Sequence, residues 1–226
     1  MKRVITVLLA VLLALSLAAC GSRVETKKLA GTWTCTVDVT DRMNAAAEQA
    51  LGLSAADGTA QMPLQLVLTV AEDGAYTLRY DSDAVRTALD AYAAALHPAA
   101  VESVYAAAEE QGLSREEYDA AMEKAGITMD DMVAAIFAGV DEEELLSLLT
   151  GRSAALTGYC RAESGQLYLA DTAAELAETA DCLSYTLSDG TMTWTDAQGE
   201  LSSQLTEQEQ ELLRVPLTWT KQEESK

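Results

Sequence analysis

The stretch Leu29-Ala30-Gly31-Thr32-Trp33-Thr34-Cys35-Thr36-Val37-Asp38-Val39-Thr40 decides how the chain is read. Trp33, Cys35, Val37 and Val39 alternate with Thr34, Thr36 and Asp38. A period of two with one apolar face is a half-buried strand. Working outward, the same alternation recurs in Leu64, Leu66, Leu68 and Val70, then in Tyr76, Leu78 and Tyr80. Glu72-Asp73-Gly74 between these two runs is a tight-turn signal. Further strands are expected at Ala155 to Arg161, Leu167 to Ala170 and Cys182 to Leu187. The last two are marked by Met192 with Trp194, and by Val215, Leu217 and Trp219. Glu163-Ser164-Gly165 and Ser188-Asp189-Gly190 supply two more tight turns.

The connecting segments carry helical patterns. Asp41 to Leu51 is alanine-rich and polar-faced. Ser82 is positioned to cap a helix from Asp83 to Gln111, bent or broken near His97-Pro98. Ser114 with Glu117 forms a capping box before a helix that Gly126 stops. Thr128 with Asp131 opens a third, ending at Gly139, and Asp141 to Gly151 brackets a fourth. Residues 83–152 thus read as a helical insert with an apolar stripe that includes Leu89, Tyr92, Leu96, Val104, Tyr105, Met122, Met132, Ile136, Leu145 and Leu148. Thr172 to Ala180 reads as one or two turns. Thr206 with Glu209 caps a short helix to Leu213, and residues 222–226 form a polar tail.

The N-terminus carries an address. Lys2 and Arg3 precede an uninterrupted apolar or small stretch, Val4 to Ala19, that ends in Leu17-Ala18-Ala19-Cys20-Gly21. This is the layout of a secretory signal, and it is short for a membrane span. The small residues before Cys20 resemble the bacterial lipobox. The resemblance implies cleavage before Cys20, a thioether-linked diacylglycerol on that residue, and attachment to the outer face of a bacterial cell membrane. Two acyl chains make a durable anchor. Residues 1–19 are then a leader. Beyond them lie 13 basic and 36 acidic residues, a formal net charge of −23. Residues 20–28 read as a lipid-bearing tether, with Arg23, Lys27 and Lys28 either near anionic headgroups or simply solvated.

Leu29-Ala30-Gly31-Thr32-Trp33 followed by hairpins resembles the Gly-x-Trp start of lipocalin-like domains. Pro216-Leu217-Thr218-Trp219-Thr220-Lys221 is similar to the closing strand of such domains in bacterial surface lipoproteins. The resemblance implies an α+β fold over residues 29–221: an eight-strand antiparallel meander or barrel, with the helical insert capping one end. It also implies a basic residue over the first-strand tryptophan, a place that Lys221 or Arg214 would take. In an up-and-down meander the three tight turns share one end, where the first strand also begins, beside the tether. The helical connections share the other end, either as a working face or as a plug that completes the core.

Composition bounds the function. The 226 residues are 49% hydrophobic and 23% charged, which places the chain among globular proteins. A net charge of −21 repels phosphate backbones and disfavours nucleic acid as a partner. His97 is the one histidine and reads as a surface or helix-end residue. No Gly-x-Ser-x-Gly, Cys-x-x-Cys, His-Glu-x-x-His or P-loop occurs. The acidic groups Asp81-Ser82-Asp83, Asp130-Asp131 and Asp141 to Glu144 lack EF-hand spacing and each begins a helix, so they read as caps. No cofactor, metal or catalytic residue is expected. Cys35 shares a face with Trp33 and reads as a small hydrophobe. Cys160 and Cys182 lie on strands near enough to pair, with Cys182 on a polar face. Trp33, Tyr76, Tyr80, Tyr185, Trp194 and Trp219 form an aromatic set that either fills the barrel or lines a cavity.

Three functional readings follow. The leading one is a non-enzymatic, membrane-anchored binding or interaction module with a protein partner. The second is a binder of a small apolar or sugar-like ligand in the barrel mouth. The third is a cell-envelope hydrolase, which needs converging carboxylates or a partnered His97. A solute receptor of the alternating strand–helix type is disfavoured, since the strands fall in hairpins.

Overall fold

The computed structural model describes residues 25–53, 60–137, 155–178, 182–198 and 213–223. Eight antiparallel strands close into a barrel in chain order. They are β1 (Gly31–Asp38), β2 (Pro63–Val70), β3 (Ala75–Tyr80), β4 (Leu156–Glu163), β5 (Gln166–Ala170), β6 (Cys182–Ser188), β7 (Thr191–Gln198) and β8 (Leu217–Lys221). The ring closes where Trp33 of β1 faces Lys221 of β8 and Thr34 faces Thr220. Closure leaves no strand edge unpaired. Helices α1 (Thr40–Leu51), α2 (Ser82–Glu110), α3 (Arg115–Ala125) and α4 (Met129–Phe137) complete the described elements, with a 3-10 turn at Glu175–Ala177. The molecule is therefore an α+β, lipocalin-like barrel with a helical insert between β3 and β4.

The hairpins follow from turn chemistry. Ser164-Gly165 and Asp189-Gly190 link their strands with φ of 53° and 76°, and of 46° and 77°. Two successive positive values are the type I′ geometry that matches strand twist. Glu72-Asp73-Gly74 is closed by Gly74 N donating to Ala71 O at 3.0 Å and by Asp73 Oδ1 accepting from Ala75 N at 3.0 Å.

Contacts divide the chain into two compact units, one within Met1–Cys35, Leu66–Tyr80 and Ala154–Lys226, the other within Thr36–Gln65 and Asp81–Ser153. In the first, alternation buries Trp33 and Cys35 of β1, Leu66, Leu68 and Val70 of β2, Gly158, Cys160 and Ala162 of β4, and Leu217 and Trp219 of β8. Residues 25–29, expected as tether and strand lead-in, are a helical turn fastened to the barrel wall. Thr26 is buried, and its Oγ1 accepts from Ala162 N at 3.0 Å. Glu25 Oε2 accepts from Ser164 N at 2.6 Å. At the other terminus Gln222 extends the ladder instead of starting a free tail, with its N donating to Thr32 O at 2.8 Å and Nε2 to Thr34 Oγ1 at 2.7 Å. The closing strand begins at Leu217, after Pro216, which has no N–H to contribute to a ladder.

In the second unit α2 runs unbroken through Pro98. Of the expected bend or break, the break is absent: Leu96 and Ala100, on either side of the proline, are both buried and hold the two halves. Its cap is Asp81, not Ser82: the Asp81 carboxylate accepts from Ala84 N at 3.1 Å, while Asp81 N donates to Gln65 O at 2.9 Å. Tyr92 and Leu96 of the expected stripe are buried, as is Met122 of α3. Much of the rest is made by Val85, Ala88, Ala100 and Ala108. Leu53, Ala100 and Val133 form a cluster joined by Val101 and Ile136. Tyr92 Oη donates to Asn44 Oδ1 at 2.7 Å and ties α2 to α1. The capping box at Ser114 and Glu117 is present. Arg115 then holds α3 to α2, reaching Glu102 at 2.7 Å and Glu109 at 3.2 Å while stacking 4.7 Å over Tyr105. Leu145, Leu148, the expected helix at 141–151 and residues 206–212 of the one expected from Thr206 to Leu213 lie outside the described residues.

Candidate functional site

The barrel interior is built around three indoles. Trp33 is fully buried, and its Nε1 donates to Leu29 O at 2.7 Å, so the 25–29 turn satisfies it. Lys221 Nζ lies 5.2 Å from the centre of the Trp33 ring, a cation–π distance. Of the two basic residues considered for this place, Lys221 takes it. Gly31 makes room: it has φ of 126°, and a Cβ there would stand 2.8 Å from Lys221 Cε. The first glycine of the Gly-x-Trp stretch thus admits the lysine stem that covers the tryptophan.

Trp194 and Trp219 sit on neighbouring strands with ring centres 4.8 Å apart and planes at 47°. Trp194 faces Leu217 and Tyr185 across its two ladders, and Trp219 faces Met192. Both rings are at least 95% buried. Both Nε1 atoms are buried and lack a hydrogen-bond partner among the described residues. A desolvated donor left open costs about 1–3 kcal/mol, so this pair stands apart from Trp33.

The remaining aromatics divide. Tyr76 is buried, its ring packed against Gly158. Tyr80 and Tyr185 are half-buried. Burial raises the Tyr185 phenol above its ordinary value, with Glu25 and Cys160 adding to the effect. Among the described residues the set is therefore a core of Trp33, Tyr76, Trp194 and Trp219, with two partly accessible phenols.

Cys35, Cys160 and Cys182 are buried, and none of them is in a disulfide. Cys160 faces Leu169 and Cys182 faces Tyr168. Leu169 and Tyr168 are successive residues of β5 and point to opposite faces, so Cys160 and Cys182 lie on opposite sides of the wall. Cys182 keeps polar company on its face, its thiol 3.2 Å from Gln166 Oε1, and is buried there. Burial pushes the Cys160 thiol up to about 12. Cys20 lies outside the described residues.

In the helical unit, α2 and α4 bound an open groove of about 680 Å³. Ala94 and Pro98 on one side, and Val133 and Ala134 on the other, give it an apolar lining. His97 Nε2 meets Asp130 Oδ1 at its edge, at 3.0 Å. Thr128 engages Asp131 as the cap of α4, its N donating to Asp131 Oδ2 at 2.9 Å, which leaves Asp130 to face His97. The sequence placed both residues on helices, but not these two helices side by side. No family model, curated protein or solved structure matches the chain.

Proposed function

We propose that this chain is an exported lipoprotein, held at the outer face of a bacterial cell membrane by a lipid on Cys20, and that it acts there as a non-enzymatic binding module. The observation that carries the reading is the attachment of residues 25–29 to the barrel. Glu25 and Thr26 bond β4 and its turn, and Leu29 bonds Trp33. Only Gly21 to Val24 separate Cys20 from that turn, a link of at most about 18 Å. A lipid on Cys20 would hold the barrel close to the bilayer, hairpin end first. The test is metabolic labelling of the bacterial host with a clickable palmitate analogue, followed by mass spectrometry of the N-terminal peptide. The expected result is an acylated peptide beginning at Cys20, lost in Cys20→Ala. An intact leader, or a processed but unacylated N-terminus, would refute it.

A second reading, that the module binds a small molecule inside the barrel, is favoured by the buried indole N–H groups of Trp194 and Trp219, which have no partner among the described residues. Native mass spectrometry of the protein from its own host tests it. A co-purifying small molecule supports the reading, and a bare polypeptide mass counts against it.

A further inference from the structure

Resting on the reading of this chain as a binding module, we propose that the groove between α2 and α4 receives the apolar face of a basic amphipathic helix on a protein partner. The groove is open and holds about 680 Å³. Val133 lines it and is buried, packed in the cluster of Leu53 and Ala100. Ala94 and Pro98 of α2 and Ala134 of α4 also line it, and all three are exposed. These side chains are small or rigid. They leave room between the helices and lose almost no rotamer freedom when covered. A trough bounded by two helices suits the stripe that a third helix presents at i, i+3, i+4 and i+7.

Charge selects the partner. Residues 82–137 carry eleven acidic and three basic side chains. Two of the bases already face acids of the same unit: Arg86 lies 3.9 Å from Asp83, and Arg115 lies 2.7 Å from Glu102. At the groove, the Asp130 side chain is 86% exposed, and His97 meets it through Oδ1. Asp90 is exposed on α2, four residues before Ala94, so it flanks the same helix face. An acidic rim on a chain of net charge −21 repels a second copy of itself and any phosphate-bearing partner. It attracts lysine and arginine side chains set beside a leucine-type stripe. The closed barrel presents no strand edge for a partner strand to join, which leaves helix-in-groove docking as the mode this fold supports.

The reporters are built in. The one histidine lines the groove, and the three tryptophans lie in the barrel unit. The test uses the full-length chain in phosphatidylcholine nanodiscs with ¹⁵N-labelled histidine and tryptophan, at one fixed pH. The probe is a helical peptide of leucine and lysine, with leucine at i, i+3, i+4 and i+7. Its controls are a scrambled isomer without an apolar face and a leucine–glutamate analogue. Empty nanodiscs calibrate the free peptide concentration. The expected result is that the leucine–lysine helix moves the His97 imidazole signals and leaves the indole signals in place. Both controls should bind at least about tenfold more weakly. Ala94→Phe fills the groove from an exposed position and should also weaken the probe about tenfold, the loss of one buried leucine. Asp90→Lys should weaken the lysine peptide about threefold and strengthen the glutamate one. A silent His97, undiminished affinity in Ala94→Phe, or equal binding of the scrambled isomer would each overturn the proposal. Acylation at Cys20 is read separately. An acylated chain with a silent His97 overturns the groove alone, and a moved His97 on an unacylated chain overturns the membrane address and leaves the groove standing.

Discussion

Gly158→Ala is the most pointed test of the barrel's packing. Gly158 is buried on β4 and faces Tyr76 of β3. Its φ is outside the left-handed region, so alanine meets no backbone penalty there. With free space around it, such a change would stabilise the fold by about 0.4–1 kcal/mol through the unfolded chain. Space is what the site lacks. A Cβ would lie 2.5 Å from Ala170 O, and 2.9 Å and 3.0 Å from Cε1 and Cζ of Tyr76. The tyrosine ring can tilt, but the carbonyl belongs to β5 and moves only with its strand. Overpacking of this kind costs about 1–3 kcal/mol, and the backbone contact places Gly158 near the upper end. The net expectation is a loss of about 2 kcal/mol, or about 4–8 °C in Tm for a chain of this size. All three tryptophans, Trp33, Trp194 and Trp219, lie in the barrel unit, so their fluorescence during urea unfolding reports on the barrel. A neutral or stabilising Gly158→Ala would mean that the ring and the carbonyl do not crowd this position, and the packing argument would fall.

Trp33→Phe keeps a ring beneath Lys221 but strands the buried Leu29 carbonyl, with an expected loss of about 1–3 kcal/mol in the same assay; an unchanged midpoint would show that the 25–29 turn does not depend on that bond. Acid should unfold the helical unit before the barrel. Hydrogen bonds from Thr40, Arg115, Ser114 and Thr128 hold Asp38, Glu102, Glu117 and Asp131 below their ordinary carboxylate values. Each lies in the helical unit. Their contribution is full above the unfolded values near pH 4 and is lost as pH falls through the lowered ones. Helical circular dichroism should therefore fade at a higher pH than tryptophan fluorescence changes, and the reverse order would contradict the assignment. Neutralising the surplus acids relieves repulsion in both units, so the gap between the two midpoints is the quantity to read. The thiols of Cys35, Cys160 and Cys182 should resist alkylation at pH 8 in the native state and react in denaturant, and mild oxidation should not join Cys160 to Cys182, as peptide mapping would show.

The barrel was legible because its signals are local. Alternation over Trp33 to Val39 and the turns Ser164-Gly165 and Asp189-Gly190 dictate strands and hairpins within a few residues, and the register of each hairpin follows from its turn. The helical core was less legible. Val85, Ala88 and Ala100 carry much of the packing face of α2, and alanine is as common on exposed helix surfaces as on buried ones. Pro98 misled for a related reason: its break is a local tendency that burial on both sides overrides. Asp81 took the cap from Ser82 because the ladder bond to Gln65 O fixes the chain one residue earlier than side-chain preference alone suggests.

The candidate sites needed the third dimension. His97 and Asp130 stand 33 residues apart in sequence, and no periodicity links them. The three tryptophans look equivalent in the sequence, each on an alternating strand. The structure separates them by a bond that only the N-terminal turn can make. Leu29 O reaches Trp33 because helical residues 25–29 lie against the hairpin end of the barrel. Trp194 and Trp219 face Leu217 and Tyr185, and Met192, across their ladders, and among the described residues nothing accepts from their N–H groups. Their different status is thus a consequence of topology: the indole beside the chain's entry finds an acceptor in the N-terminal turn, and the two on the closing strands find none among the described residues. Moving the acceptor tests that logic directly. In Met192→Gln the new amide faces Trp219 and can accept its N–H, so the Trp219 indole signal should shift without any ligand while Trp33 stays fixed. A signal that stays in place in a folded Met192→Gln protein would show that the Trp219 donor is already met, and the distinction between the indoles would disappear.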